Sequence, residues 1–213
     1  GAVATKAFYE KLVAWAKTYE VGVVSDLAYG ALGYQGYENP SFLSTPGAKD
    51  VGIEFYTFSK TFNMAGWRLA FAAGNDQMIE ALNLIQDHLF VGIFPALQEA
   101  GIAALLDPKS EEAVAQLNAT YDSRRDAFVQ AAAKIGWQAF PSRGSFYAWM
   151  PVPEGYTSES FADLLLEKAH VAVAPGKGFG PAGDAYVRIG LLVEPERLVE
   201  AVDRIANLHL FNN

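Results

Sequence analysis

The residues that most suggest chemistry surround Lys60, in the segment TFSKTFNMAGWR that runs from Thr57 to Arg68. Lys60 stands between two hydroxyl residues at the end of an apolar run, and Arg68 follows eight positions later. A desolvated lysine amine can form a Schiff base with an aldehyde, and hydroxyl and guanidinium groups can hold a phosphate. Pyridoxal 5'-phosphate (PLP) is the common cofactor that combines these two groups. The segment therefore predicts a PLP site.

Asp26 and Tyr29 add a carboxylate and a phenol that suit the same cofactor. The apolar runs 21–24 and 52–58 predict two strands, and Asp26 and Lys60 follow their carboxyl ends, where ligands bind in open parallel sheets. A buried carboxylate that faces a pyridine nitrogen keeps it protonated, so that the ring accepts electrons. Tyr29 could donate a hydrogen bond to the phenolic oxygen of the ring, and a freed Lys60 amine could act as the base.

Three segments together resemble the class I and II aminotransferases of PLP fold type I. They are DLAY at Asp26–Tyr29, SKTFNMAGWR at Ser59–Arg68 and YVRIG at Tyr186–Gly190, and they occur in the family's order along essentially the whole chain. The resemblance implies an enzyme that transfers an amino group between an α-amino acid and a 2-oxo acid through a PLP Schiff base on Lys60. It also implies a homodimer, because the family's sites borrow residues from the neighbouring subunit.

The resemblance assigns a role to each cofactor-binding residue. Asp26, Tyr29 and Lys60 match the residues that contact the pyridinium nitrogen, the phenolic oxygen and the aldehyde carbon. Thr57 and Arg68 match the residues that bind the phosphate. The alternatives without a cofactor are a surface lysine at position 60, a helix N-cap at Asp26, and an Arg68 whose aliphatic stem covers apolar surface.

Two further residues complete the expected site. The resemblance implies that Ser59 helps to bind the phosphate. It also implies that the guanidinium of Arg188 binds the α-carboxylate of the substrate through two N–H groups, a role that suits a planar bidentate donor. The alternative for Arg188 is a solvated arginine at the end of an apolar strand.

Family members are considerably longer than this chain, so the resemblance implies that the 213 residues are the C-terminal portion of an aminotransferase. The missing portion would carry the aromatic ring that stacks on the cofactor and part of the phosphate site. We therefore expect this chain alone to bind PLP weakly or not at all. Besides the aminotransferase, the hypotheses are a PLP-dependent carbon–sulfur lyase that uses the same Asp26, Tyr29 and Lys60, and a non-catalytic folded fragment.

The sequence predicts an α/β protein with two domains. Residues 1–115 are expected to be a remnant of the large PLP-binding domain, with a partial and mainly parallel sheet. Residues 116–213 are expected to form the smaller α/β C-terminal domain of the PLP-dependent transferase fold. A long helix that starts near Ser110 and ends at Gly136 is predicted to bridge the two domains.

Local patterns in the sequence give three further predictions. Residues 5–19 carry Phe8, Leu12, Trp15 and Tyr19 on one face of a predicted helix. A short strand is predicted near 137–140. The segment Gly176–Gly180 lacks the spacing of a phosphate-binding loop, so it is interpreted as a turn between strands.

Composition restricts the possible partners and chemistry. The net charge of −8 argues against nucleic acid or an anionic membrane as a partner. The absence of cysteine excludes thiol catalysis, disulfides and cysteine-ligated metals, and the three histidines lack the spacing of metal ligands. No apolar run approaches the length of a membrane span, so a cytoplasmic location is expected.

Overall fold

The computed structural model describes residues 1–140 and 142–211, which divide into two compact units. The N-terminal unit comprises Val3–Leu117. The C-terminal unit comprises Gly1–Ala2 and the described residues from Asn118 onward. Both units contain helices and a sheet, which confirms the prediction of an α/β fold.

The sheet of the N-terminal unit contains three described strands, in the order β1–β2–β3. They are β1 (Val23–Asp26), β2 (Gly52–Thr57) and β3 (Ala70–Gly74). β1 and β2 are parallel, with Asp26 opposite Phe55, whereas β2 and β3 are antiparallel. The sheet is therefore mixed rather than mainly parallel across these strands. Antiparallel strands need only a short connection, whereas a parallel return needs a longer crossover, and the longer connection here is the one from β1 to β2.

Helices flank these strands, and side-chain caps fix where several of them begin. They are α1 (Lys6–Tyr19), α2 (Ala48–Val51), α3 (Phe58–Thr61), α4 (Asp76–Leu89) and α5 (Pro95–Leu106). The Thr5 hydroxyl accepts a hydrogen bond from the Phe8 N–H at the start of α1, and the Asn75 side chain accepts one from Met78 at the start of α4. These bonds satisfy backbone donors that the first helical turn leaves free.

The buried face of α1 differs from its apolar stripe. Val13 and Ala16 are the buried residues of this helix, and Val13 packs with Phe42 and Ala48. Phe8 and Tyr19 belong to the predicted apolar face, yet they are 54% and 64% exposed. Leu12, also on the predicted face, packs against the same cluster. The periodicity therefore predicted the helix correctly, but most of its apolar face is not the buried side of the helix.

The C-terminal unit packs helices against one face of a second, antiparallel sheet. Its strands are β4 (Tyr147–Pro151), β5 (Ala174–Pro175) and β6 (Tyr186–Gly190), in the order β4–β6–β5. Its helices are the later part of α6 (Ser110–Lys134), α7 (Ser158–Leu164), which continues into a π-helical turn at Leu165–Ala169, and α8 (Pro195–Ala206). Side chains from every one of these helices are buried in the core of this unit: Phe128, Phe161, Leu165, Leu198, Val202 and Ile205.

The strand predicted near 137–140 is wrong, because these described residues contain no strand. Trp137 is instead a core residue whose ring packs edge-on against Phe128 and Phe161, and its indole N–H donates to the carbonyl of Pro151 at 2.7 Å. Phe140 makes one backbone hydrogen bond to β4, to the carbonyl of Trp149. Burial of the indole thus takes the place of strand pairing in this segment.

The described helices of the two units include no candidate membrane span. No helix in the described part of the chain combines the length and the apolar character that crossing a membrane requires.

Candidate active site

The residues predicted to bind the cofactor lie in one unit, and the residue predicted to bind substrate lies in the other. Asp26, Tyr29 and Lys60 belong to the N-terminal unit, as do the predicted phosphate ligands. Arg188 belongs to the C-terminal unit.

Lys60 lies in the short helix α3, which starts directly after β2 ends at Thr57. The Thr57 hydroxyl accepts a hydrogen bond from the Ser59 N–H at 3.1 Å, and this cap helps to turn the strand into a helix. The half-buried Lys60 ammonium lies over the ring of Tyr29, 5.7 Å from its centroid. A cation at this distance is attracted by the face of the ring, so Tyr29 helps to orient the amine.

Asp26 is the last residue of β1, so it ends the strand that runs parallel to the one preceding Lys60. The two side chains therefore belong to the same edge of the sheet, as predicted from the strand ends. One Asp26 carboxylate oxygen accepts a hydrogen bond from the Ala28 N–H at 3.1 Å. The Asp26 side chain is exposed in the described chain.

The residues predicted to bind phosphate form a hydroxyl pair and a separate guanidinium. The Thr57 and Ser59 hydroxyls are 2.9 Å apart, and Ser59 is buried. Arg68 ends a 3-10 turn with a left-handed backbone, at φ 55°, and its guanidinium donates to the carbonyl of Ala65. Arg68 is exposed, so its guanidinium can bind an anion and need not first be buried as an unpaired charge.

Sequence reasoning missed Asn39, whose side-chain amide holds the turn that contains Tyr29. The Asn39 amide nitrogen donates to the carbonyl oxygens of Tyr29, Gly30 and Leu32, at 3.3, 3.2 and 3.1 Å. Asparagine in a loop rich in glycine and proline is a common turn residue, so the sequence alone gives it no special weight. The hydrogen bonds from Asn39 form only when the loop folds back on itself.

Replacing Asn39 with alanine is expected to loosen this turn. The loss of the donor removes a hydrogen bond from three carbonyls, one of which also accepts from the Leu32 N–H. We therefore expect hydrogen exchange at the Leu32 amide to accelerate about tenfold. Glu38→Ala, at an exposed position in the same loop, is the control and should leave this exchange rate unchanged. An equal rate in the Asn39 variant would show that other contacts fix the turn.

Glu54 is a second residue that sequence reasoning missed. It is buried on β2, opposite Ser25, and its carboxylate accepts hydrogen bonds from the Ser25 and Ser41 hydroxyls and from the Phe42 N–H. Burial raises the pKa of the neighbouring Tyr9 hydroxyl, and the negative charge of Glu54 adds to this while a hydrogen bond with Ser25 opposes it. Glu54 thereby ties together the strand that ends in Asp26 and the loop that follows Tyr29.

Arg188 is the third residue of the five-residue strand β6, not a solvated residue at the end of a strand. Its side chain is half-buried. The guanidinium carbon lies 4.1 Å from the ring centroid of Tyr147 and 4.3 Å from that of Phe179. In the part of the chain that the structure describes, no carboxylate forms an ion pair with Arg188, so its charge is available to an anion.

Comparison with known proteins identifies the family. The model of the family "Aminotransferase class I and II" matches residues 1–205. The chain belongs to this family. It is 58% identical to the L-glutamine–4-(methylsulfanyl)-2-oxobutanoate aminotransferase of Bacillus subtilis (strain 168), over 99% of this chain and 52% of that protein. It is 46% identical to the LL-diaminopimelate aminotransferase of Moorella thermoacetica, over 96% and 52%.

Solved structures agree with this assignment. The apo structure of BacF from Bacillus subtilis superimposes with a TM-score of 0.94 at 45% identity, and covers 100% of this chain and 54% of that one. The chain thus spans about half the length of the curated relatives that it matches. The α/β fold is that of the PLP-dependent aminotransferases over this half.

Members of this family depend on PLP, and the residues of the N-terminal unit fit that cofactor. An amine for its aldehyde, a phenol and a carboxylate for its ring and a hydroxyl pair for its phosphate all lie in one unit, and the amine is already held over the phenol ring. The donor set offers no competing metal site, since the described residues contain no group of three or more His, Cys, Asp or Glu side chains that could hold a metal ion.

Proposed function

We propose that the whole protein is an aminotransferase that moves an amino group between an α-amino acid and a 2-oxo acid with PLP as cofactor. The observation that carries this proposal is the position of Lys60 in a class I and II aminotransferase chain, with its amine over the Tyr29 ring at the sheet edge where Asp26 ends β1. Bound PLP supplies an aldehyde for a lysine amine and a pyridine ring that withdraws electrons from the substrate.

Lys60 has two tasks in this proposal. Its Nζ would hold the aldehyde carbon of the cofactor. Once the substrate amine has displaced it, the freed Lys60 amine would be the base that takes the proton from the substrate Cα. Half-burial limits the access of water to this amine. The Tyr29 ring keeps the amine near the cofactor position in both tasks.

Asp26 and Tyr29 hold the cofactor ring. The Asp26 carboxylate would accept a hydrogen bond from the protonated ring nitrogen, which favours the charged and electron-withdrawing form of the ring. The Tyr29 hydroxyl donates to the phenolic oxygen of the ring. The Ala28 N–H that bonds Asp26 and the Asn39 amide that bonds the Tyr29 carbonyl keep both residues in place.

Phosphate and carboxylate groups are held by the remaining predicted residues. Thr57, Ser59 and Arg68 bind the phosphate of the cofactor, two through hydroxyls and one through a charged fork. Arg188 binds the α-carboxylate of the substrate with paired N–H donors. The free charge of Arg188 supports this assignment.

The curated relatives suggest which substrates to test first. The whole protein should be incubated with L-glutamine and 4-(methylsulfanyl)-2-oxobutanoate. A second assay should use LL-diaminopimelate and a 2-oxo acid acceptor. The names of the two relatives contain L-glutamine, 4-(methylsulfanyl)-2-oxobutanoate and LL-diaminopimelate. Transfer of the amino group is the expected result. Release of pyruvate and ammonia from a sulfur amino acid without an acceptor, and no transfer, would favour the carbon–sulfur lyase instead.

The partial length of the chain enters the proposal as well. We infer that residues 1–115 are the remnant of the large PLP-binding domain and that residues 116–213 are the small domain. A cytoplasmic homodimer is proposed on the resemblance alone. PLP titration of the 213-residue chain is expected to show weak or no binding, and tight binding with turnover would contradict the fragment interpretation.

A further inference from the structure

The segment Gly176–Gly180 does more than connect two strands. Gly176–Phe179 forms a 3-10 turn, and this turn places the ring of Phe179 against the guanidinium of Arg188 at 4.3 Å. The Tyr147 ring lies at 4.1 Å from the same carbon. Phe179 is 53% exposed, so it gains little from burial in the core, and its contact with Arg188 calls for another explanation.

The strand pairing of the C-terminal unit gathers these side chains on one face of its sheet. Arg188 on β6 is opposite Trp149 on β4, and Tyr147 is two residues away along β4. Side chains alternate between the two faces of a strand, and the intervening residues Ala148 and Val187 are buried in the core. The face away from the core therefore carries a half-buried aromatic surface with Arg188 within it.

Packing around Phe179 fixes the position of its ring. The ring meets Trp149 edge-on with centroids 5.8 Å apart, and Trp149 in turn stacks on Tyr186 at 5.5 Å. Gly176 lies so close to the carbonyl oxygens of Gly183 and Tyr186 that a Cβ would collide with them. The turn therefore needs glycine at this point in order to hold Phe179 over Arg188.

Hydrogen bonds hold the same turn from its other side. The Asp184 carboxylate accepts from the hydroxyl and the N–H of Ser158, and the Ser158 oxygen accepts from the Lys177 N–H. Hydrogen bonds from Ser158 lower the pKa of the Asp184 carboxyl, and the bond from the hydroxyl has a larger effect than the bond from the backbone N–H. The Asp184 carboxylate therefore stays charged near neutral pH. A turn held in this way can act as a fixed support for Phe179.

Aromatic contacts of this kind affect where a guanidinium can bind. A ring face attracts the flat surface of the guanidinium, whereas its N–H donors point outward in the plane of the group. Contacts with rings therefore restrict rotation of the side chain without using up the donors. An arginine restricted in this way loses less entropy when it binds a planar carboxylate.

We propose that Tyr147 and Phe179 are positioning residues that hold Arg188 in the orientation in which it binds a carboxylate. The identity of that carboxylate as the α-carboxylate of an amino acid rests on the proposed function. The contact of the two rings with Arg188 does not, and the two statements can be tested separately.

The first test uses the 213-residue chain, without cofactor, and follows the side-chain NMR signals of its arginines. The δ protons of Arg188 should be shifted upfield by the two rings relative to those of the exposed Arg197. Acetate, as the smallest carboxylate probe, should shift the Arg188 Nε signal, whereas chloride at equal ionic strength should not. Phe179→Leu should remove part of the upfield shift and weaken acetate binding about fivefold.

Two further variants keep this test decisive. Phe179→Tyr preserves an aromatic face and should restore both effects, whereas Phe140→Leu, at another exposed phenylalanine of the same unit, should change neither. Tyr147→Leu provides a second removal of a ring if the Phe179 variant does not fold. Unchanged Arg188 shifts and unchanged acetate affinity in the variants that lack a ring would overturn the proposal.

The second test uses the whole protein and its amino-acid substrate. Phe179→Leu should raise KM about fivefold and change kcat less than about twofold, with the absorbance of bound cofactor unchanged, since the contact orients substrate and not the reacting atoms. Absence of transamination in the wild type, together with the expected NMR result, would refute the proposed function and leave the aromatic contact standing. Active protein with an unchanged KM in this variant would overturn the inference on Arg188.

Discussion

Replacing Lys60 with alanine is expected to abolish the visible absorbance of lysine-bound cofactor in the whole protein and to lower kcat by at least about 10⁴-fold. A positioned acid–base group alone contributes up to about this factor, and Lys60 is proposed to carry the cofactor as well. The half-buried amine over Tyr29 offers the nitrogen for both tasks. Absorbance spectra and steady-state rates of the purified variant measure the two effects.

A matched lysine variant makes this experiment specific. Lys49→Ala removes an exposed lysine of the short helix α2 in the same unit, and we expect the spectrum and the rate of wild type. If Lys60→Ala kept the absorbance and the rate, the assignment of Lys60 as the cofactor-binding residue would be wrong. If the absorbance alone persisted, another amine would hold the cofactor and Lys60 would be the base only.

The parts of the fold that sequence predicted well depend on local signals. The α6 helix begins at Ser110 and ends shortly before Gly136, close to its predicted bounds, because acidic first-turn residues and a glycine with a left-handed backbone act within a few residues. The same holds for Asp26 and Lys60, which follow short apolar runs that form parallel neighbours. The motif around Lys60 therefore predicts the candidate site from local sequence alone.

The parts that sequence could not predict depend on which distant residues meet. In the sequence, Glu54 is a charged residue within an apolar strand and has no evident partner. Only the fold brings the Ser25 and Ser41 hydroxyls within hydrogen-bond distance of its carboxylate. Trp137 is drawn into a core made by residues far along the chain, which prevents the predicted strand. The aromatic contact between Phe179 and Arg188 likewise requires the turn and the strand to fold together.

Replacing Glu54 with alanine is expected to cause the largest loss of stability among the changes considered. Glu54 is 7% exposed, and its carboxylate accepts from Ser25 at 3.0 Å, from Ser41 at 2.5 Å and from the Phe42 N–H at 2.7 Å. Alanine leaves these donors without an acceptor in a site that water reaches poorly. We expect the free energy of unfolding of the N-terminal unit to fall by about 3 kcal/mol.

Native-state hydrogen exchange measures this loss within the unit concerned. The Leu27 amide is a suitable probe, because it donates to the carbonyl of Phe55 and so reports on the contact between the end of β1 and β2. Glu80→Ala, at an exposed position of α4, is the control and should change stability by less than about 0.5 kcal/mol. Glu54→Gln keeps the shape and one acceptor oxygen, so we expect it to lose only about 1–2 kcal/mol.

The difference between the glutamine and alanine variants shows what Glu54 does. A graded loss would mean that the acceptor oxygens tie Ser25, and with it the end of the strand that carries Asp26, to the turn at Ser41 and Phe42. A loss below about 1 kcal/mol in the alanine variant would mean that other groups satisfy these donors and that the tie is dispensable. If stability fell while the cofactor affinity of the whole protein stayed constant, Asp26 would keep its position through the β1–β2 pairing alone.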